Sequence, residues 1–178
     1  MTIPYASPGS TTTTTSTSEH SSEGPSHQYS PEDLLVSLHG LVDAETDRIA
    51  NLANASSLLF HSLPDLNWCG FYLWNAEENT LVVGPFQGKP ACVRIALGKG
   101  VCGTAAQSRE TVVVEDVHKF PGHIQCDSAS RSEIVVPMVS ASGQLVGVLD
   151  LDSPCLNRFS QSDASLLREF VRILLLRI

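Results

Sequence analysis

The chain has 178 residues, 42% of them hydrophobic, a formal net charge of −8 and five cysteines. Eleven Lys and Arg are set against nineteen Asp and Glu, and the basic residues are scattered, so the chain lacks the basic stripe that nucleic-acid binding needs. An odd number of cysteines, with no basic-then-apolar leader at the start, argues against a secreted disulfide framework and points to a cytoplasmic protein, with the nucleus open to it by diffusion.

Residues 1–29 are dominated by Ser, Thr, Pro and Gly, with an unbroken Thr run at 11–15. Such a segment cannot bury enough apolar surface to offset its ordering entropy, so it is expected to be a disordered tail. The remaining stretch, 30–178, is long enough for one domain with a core of its own. Its longest apolar run near the end, 171–176, is interrupted by Arg172 and is too short to span a bilayer, so no membrane association is expected.

A helix is expected to start at Ser30-Pro31-Glu32-Asp33, where Ser30 caps, Pro31 takes the first helical position and the acids suit the positive helix end. Leu34, Leu35, Leu38 and Leu41 give it an apolar face. A second helix is read over 45–63, with Ile49, Leu52, Ala53, Ser56, Leu59 and Phe60 as its stripe and Pro64 ending it. The rhythm then changes to strands: 68–74 and 80–86 make a hairpin about the polar turn at 75–79, and 91–96 is a third strand. Gly98-Lys99-Gly100 is a turn before a short helix at 101–107. A fourth strand at 111–115 precedes a long polar loop, 117–132. Strands at 133–139 and 145–151 form a second hairpin, and Phe159-Ser160 leads into a last helix that begins near Ser162 or Asp163. The fold class that follows is α+β: a six-stranded, mainly antiparallel sheet, flanked by the N- and C-terminal helices on one face and by loops and the short helix on the other.

Three cysteines sit in settings unlike ordinary core cysteine. Cys102 opens the short helix behind Gly98-Lys99-Gly100, Cys126 precedes Asp127 and is close in sequence to His123 and Arg131, and Cys92 neighbours Arg94. Cations and helix N-termini both favour the thiolate, so each of the three is a candidate reactive thiol. Cys69, in an aromatic strand, reads as a buried small hydrophobe, and Cys155 has no acid or base around it. Structural zinc is not expected, because the chain has no Cys-x2-Cys pair and His123-x2-Cys126 stands alone.

Glu133, Asp150 and Asp152 fall on the last two strands, and the alternation in Val148-Leu149-Asp150-Leu151-Asp152 sends both aspartates to one face. Carboxylates buried side by side need a cation, or one of them must hold a proton; otherwise they mark an exposed strand end. Trp68, Tyr72 and Trp74 also share a face, as core or as the wall of a pocket for an apolar or thioether group.

These segments resemble the GAF-fold free methionine-(R)-sulfoxide reductases. The resemblance rests on Asn67-Trp68-Cys69-Gly70-Phe71-Tyr72, on Gly84-Pro85-Phe86-Gln87-Gly88-Lys89-Pro90-Ala91-Cys92, and on Gly98-Lys99-Gly100-Val101-Cys102-Gly103-Thr104-Ala105. Two more segments carry it: the run from Cys126-Asp127-Ser128 through Ser132-Glu133-Ile134 to Val136-Pro137, and Leu149-Asp150-Leu151-Asp152-Ser153. It implies a GAF-like domain, a homodimer and a closed pocket for one free amino acid. It further implies that Cys126 attacks the sulfoxide and becomes a sulfenic acid, that Cys92 condenses with it to a disulfide, and that thioredoxin restores the thiols, with no bound cofactor. Cys102 is then a second resolving thiol or shares roles with Cys126. Glu133, Asp150 and Asp152 would supply the proton and bind the substrate ammonium. Trp68 and Tyr72 would pack on the thioether, and backbone N–H groups after Cys126 would hold the carboxylate. The readings set against this are a non-catalytic GAF ligand sensor and a thiol redox sensor.

Overall fold

The computed structural model describes residues 30–124 and 127–178. The tail expected over 1–29 and the candidate nucleophile Cys126 lie outside the described residues.

The elements follow the expected order. They are α1 (Pro31–Val42), α2 (Arg48–Ser62), β1 (Trp68–Asn75), β2 (Thr80–Gly88), β3 (Arg94–Ala96), α3 (Gly100–Ser108), β4 (Val112–Val114), a 3-10 turn (Val117–Lys119), β5 (Ser132–Val139), β6 (Leu145–Ser153) and α4 (Gln161–Leu174). The six strands make one antiparallel sheet in the order β3-β2-β1-β6-β5-β4. Ser30 caps α1 as expected, its hydroxyl accepting from the Asp33 N–H. Further along, α4 begins at Gln161 behind its cap Ser160, with Ser162 and Asp163 in its first turn. The Ser160 hydroxyl accepts from the Asp163 N–H, and the Asp163 carboxylate accepts from the Ser160 N–H, a reciprocal box that satisfies two otherwise orphaned donors.

Side-chain alternation divides the sheet into two different faces. Cys69, Phe71, Ile134, Val136, Met138, Leu149 and Leu151 point to the side covered by α1, α2 and α4 and form the larger core with Leu38, Leu59 and Phe170. Trp68, Tyr72, Val135 and Val148 point to the other side, where α3 and the loops pack. β1, β5 and β6 therefore keep the period-two pattern that their sequences carry.

Two helix faces differ from the expectation. Leu34, Leu38 and Val42 are the buried residues of α1, while Leu41 is 40% exposed; the face centres on Leu38 and leaves Leu41 at its edge. In α2 the buried residues are Asn51, Leu52, Ala55, Ser56, Leu59 and Ser62, and Ile49 is 57% exposed. At about 100° per residue the stripe is turned by roughly 80° from the one drawn through the apolar residues. Small side chains face inward, and Asn51 is buried because its amide donates to the carbonyls of Glu45 and Arg177. Strand ends also shift: β2 and β6 each run two residues further than expected, and the third strand shortens to Arg94–Ala96.

The register between β1 and β2 slips between Gly70 and Tyr72. Gly70 pairs with Phe86 on one side and with Asp150 on the other. A Cβ there would lie 2.3 Å from the Phe86 Cβ and 2.8 Å from the Trp68 ring. The Phe86 backbone cannot retreat without opening the hairpin, so Gly70→Ala is expected to destabilise the fold by about 1–3 kcal/mol, the usual cost of overpacking. A fall in the urea midpoint with an unchanged slope would show it; an unaltered midpoint would mean that the hairpin yields freely.

Among the described residues, no helix is long and apolar enough to cross a membrane.

Candidate active site

The face of the sheet away from the long helices carries the carboxylates. Pairing places Asp152 between Trp68 on β1 and Glu133 on β5, and Asp150 between Gly70 and Val135. With no side chain at Gly70, the Trp68 ring and Phe86 close over that position. Cys102, the third residue of α3, is lowered onto this face, its Sγ 4.0 Å from Glu133 Oε1. The structure thus brings together Trp68, Tyr72, Cys102, Glu133, Asp150 and Asp152, all of which line one cleft. The empty space of the cleft is about 530 Å³, part of it open to solvent.

One wall is aromatic. Trp68 stacks on Tyr72 with ring centroids 5.8 Å apart and on Phe86 at 5.3 Å, and its indole N–H donates to the Lys89 carbonyl. With its polar atom satisfied, Trp68 offers a rigid apolar plane. The opposite wall is acidic. Glu133 and Asp150 are each 5% exposed, and Asp152 is half-buried. Among the described residues no Lys or Arg lies within ion-pair distance of any of the three. Burial pushes the Glu133 carboxyl well up, and the charges of Asp150 and Asp152 push it further. Burial raises Asp150 to about 7, opposed by hydrogen bonds from Cys102 and Glu133. Asp152 is raised by burial and then by Asp150, and moderated by a hydrogen bond from Ser130. The cluster therefore retains protons near neutral pH, which is the second of the two ways in which crowded carboxylates are accommodated.

Cys102 does not behave as its helix position suggests. Burial and the charges of Asp150 and Glu133 push its thiol up rather than down, so desolvation and acid neighbours outweigh the helix N-terminus. The Arg94 guanidinium is paired with Glu78. Cys92 is disulfide-bonded; Cys69, Cys102 and Cys155 are free thiols.

The loop before β5 closes the mouth of the cleft. His123, Ile124 and Asp127, on either side of the two undescribed residues, all line it. His123 Nδ1 is 3.8 Å from Glu133 Oε2, too far for a hydrogen bond, and burial holds this imidazole below its ordinary pKa. Asp127 fastens the loop: it accepts from the Ala129 N–H at 3.0 Å, from Asn67 Nδ2 and from Lys89 Nζ, each at 3.3 Å, and Asn67 also donates to Ser130. The Ala129 N–H first, then Asn67 and Lys89, hold the Asp127 carboxyl below the usual range. The N–H groups of Ala129, Ser130 and Arg131 are committed to Asp127 and Ser153 within the fold, so these three are not available to a substrate carboxylate. Two cations stand at the rim, Lys99 and the Asp127-paired Lys89.

Residue reasoning missed Phe86, Asn67 and Lys89 as parts of the site. Phe86 enters only through the register of the β1–β2 hairpin, and Asn67 only because the loop folds back on it.

The GAF domain family model matches residues 37–178. The chain is 52% identical over 139 residues to a free methionine-R-sulfoxide reductase from Escherichia coli, covering 78% of this chain and 82% of that one. It is 49% identical over 148 residues to a free methionine-R-sulfoxide reductase from Saccharomyces cerevisiae, covering 80% and 82%. The chain belongs to the GAF-domain free methionine-(R)-sulfoxide reductase family. Its fold overlays the free methionine-R-sulfoxide reductase of Neisseria meningitidis, solved in complex with its substrate, with a TM-score of 0.80 and 46% identity over 83% of this chain and 87% of that one. Membership gives the cleft a context: an acid-lined, aromatic-walled pocket in a family with a named small-molecule substrate, on a fold that by itself serves many purposes.

Proposed function

We propose that the protein reduces free L-methionine-(R)-sulfoxide to L-methionine. The observation that carries this reading is the meeting of a proton-holding carboxylate cluster with an aromatic wall in one cleft, whose mouth is lined by residues on both sides of Cys126. The methyl and thioether end packs on Trp68 and Tyr72, with Phe86 stacked on Trp68. The ammonium meets Asp150 and Asp152, and the carboxylate meets the rim lysines. The Cys126 thiolate attacks the sulfoxide sulfur while Glu133 protonates the oxygen, since that oxygen leaves poorly as an anion. Oxygen passes to Cys126, methionine departs and Cys126 becomes a sulfenic acid. Condensation with the Cys92 thiol forms the Cys92–Cys126 disulfide and releases water. The dithiol of thioredoxin then exchanges with that disulfide, restoring both thiols and becoming oxidised itself. Cys102, protonated by its surroundings, suits a second resolving role better than the attack. Electrons come from thiols alone, so the reading needs no bound cofactor, and it places the enzyme, as a homodimer, in the reducing cytoplasm, with the nucleus reachable by diffusion.

The test is methionine release from the R and, separately, the S epimer of free methionine sulfoxide, with thioredoxin, its reductase and NADPH. Turnover of R alone supports the reading. Turnover of neither, with folded and reduced protein, leaves a ligand-binding or redox-sensing GAF domain. The reading also treats 30–178 as the catalytic domain and 1–29 as a disordered tail, so deleting 1–29 is expected to leave kcat and KM unchanged; a large loss in the same assay would give the tail a part in catalysis.

A further inference from the structure

We propose that Cys102, Glu133 and Asp150 form a binding site for a thiophilic divalent cation, with zinc as the fitting ion, and that this ion excludes substrate from the cleft. One ligand atom from each residue, the Cys102 sulfur and one carboxylate oxygen from each acid, lies within 4.8 Å of the other two. An ion placed among them is then at most about 2.8 Å from all three, against about 2.0–2.3 Å in a formed zinc site. Small side-chain rotations close that gap. The donors come from three elements, α3, β5 and β6, and all three residues are buried.

A separate observation marks the spot as incomplete. Asp150 is 5% exposed and lines the cleft, yet its Oδ1 is buried with no hydrogen-bond partner among the described residues. The buried Nδ1 of His123 likewise has no hydrogen-bond partner, and it borders the set, 3.8 Å from Glu133 Oε2. Orphaned buried polar atoms are uncommon and call for a partner. A cation bound by the three donors gives Asp150 Oδ1 one, and a modest approach of His123 supplies a fourth ligand and a tetrahedral shell.

Donor chemistry selects the ion. Magnesium and calcium take oxygen ligands, whereas thiolate, imidazole and carboxylate together suit zinc. The charge environment favours any dication, since no Lys or Arg among the described residues pairs with these acids. Substrate and ion compete because the proposed ammonium site also uses Asp150. Metal binding itself requires no turnover, so it is testable apart from the reductase reading.

The probe is cobalt(II), whose bond to a thiolate gives an intense charge-transfer absorption. The protein is the full chain carrying Cys92→Ser and Cys126→Ser, which removes two competing thiols. Anaerobic titration is expected to yield one equivalent bound with that absorption, displaced by zinc. Adding Cys102→Ser is expected to abolish the band. Glu133→Gln and Asp150→Asn are each expected to weaken binding at least about a hundredfold, since even outer-shell changes around metal sites cost about 10–100-fold. A band that persists without Cys102, or no band at all, overturns the proposal. Should the triple variant not fold, X-ray absorption of the zinc-loaded double variant decides: one sulfur with oxygen and nitrogen neighbours supports the site, and no sulfur or several sulfurs overturns it. In the wild type, zinc is expected to raise the apparent KM for the sulfoxide and EDTA to restore it; inhibition that acts on kcat alone would remove the competition.

Discussion

Cys126→Ser is expected to lower turnover of free methionine-(R)-sulfoxide by at least about three orders of magnitude, as removal of a covalent nucleophile does elsewhere. A serine hydroxyl is a far weaker nucleophile than a thiolate and cannot accept the oxygen to form a sulfenic acid. No neighbour replaces it easily. Cys102 is buried beside Glu133 and Asp150, and those acids together with burial hold its proton on. Cys69 belongs to the opposite face of the sheet, and burial raises its thiol as well. Cys92→Ser is expected to behave differently. The first attack is intact, so a burst of about one methionine per enzyme appears, after which the sulfenic acid has no partner and thioredoxin-dependent turnover stalls. Rapid-quench measurement of methionine separates the two variants. Near-normal steady-state rates in Cys126→Ser would move the attack to Cys102, and full activity in Cys92→Ser would remove Cys92 from the resolving step.

The order of elements, the antiparallel sheet and the two faces were all legible, because period-two alternation in β1, β5 and β6 survives folding unchanged. That same alternation puts Asp150 with Asp152 and Trp68 with Tyr72, and the β1–β6 pairing brings the two pairs to one side. What did not follow from the chain was the direction in which environment acts. Cys102 stands at a helix start, a setting that lowers a thiol pKa, yet the acids that raise it arrive from β5 and β6. The stripe of α2 was drawn through Ile49, Ala53 and Phe60, whereas its true face turns Asn51, Ala55 and Ser62 inward, and the burial of Asn51 depends on the Arg177 carbonyl at the far end of the chain. Cys102, Glu133 and Asp150 have no ligand spacing in sequence; only the meeting of α3, β5 and β6 brings them together.

Glu133→Gln is expected to cut kcat at neutral pH by about 10²–10⁴-fold, the usual contribution of a positioned general acid, with a smaller change in KM. Glutamine keeps the size of the side chain but has no proton to transfer. The sign of the pH dependence follows from the site. Burial, and then the charges of Asp150 and Asp152, raise the Glu133 carboxyl well above the ordinary carboxylate range, so the acid form is present at neutral pH and is depleted as pH rises through the raised value. The wild-type kcat profile should therefore fall on its alkaline side, and the variant should lose that limb. Stability carries the same signature. Asp150 titrates at about 7 in the fold and near 4 in an unfolded chain, so the folded state binds more protons between those values. Its contribution to stability is complete below about 4 and is lost as pH rises through about 7. Urea midpoints measured at pH 5 and pH 8 should accordingly differ, with the protein weaker at pH 8, and Asp150→Asn should reduce the difference. A Glu133→Gln enzyme that keeps wild-type kcat and an alkaline limb would show that the proton comes from another group, with Asp150 and Asp152 the next to replace.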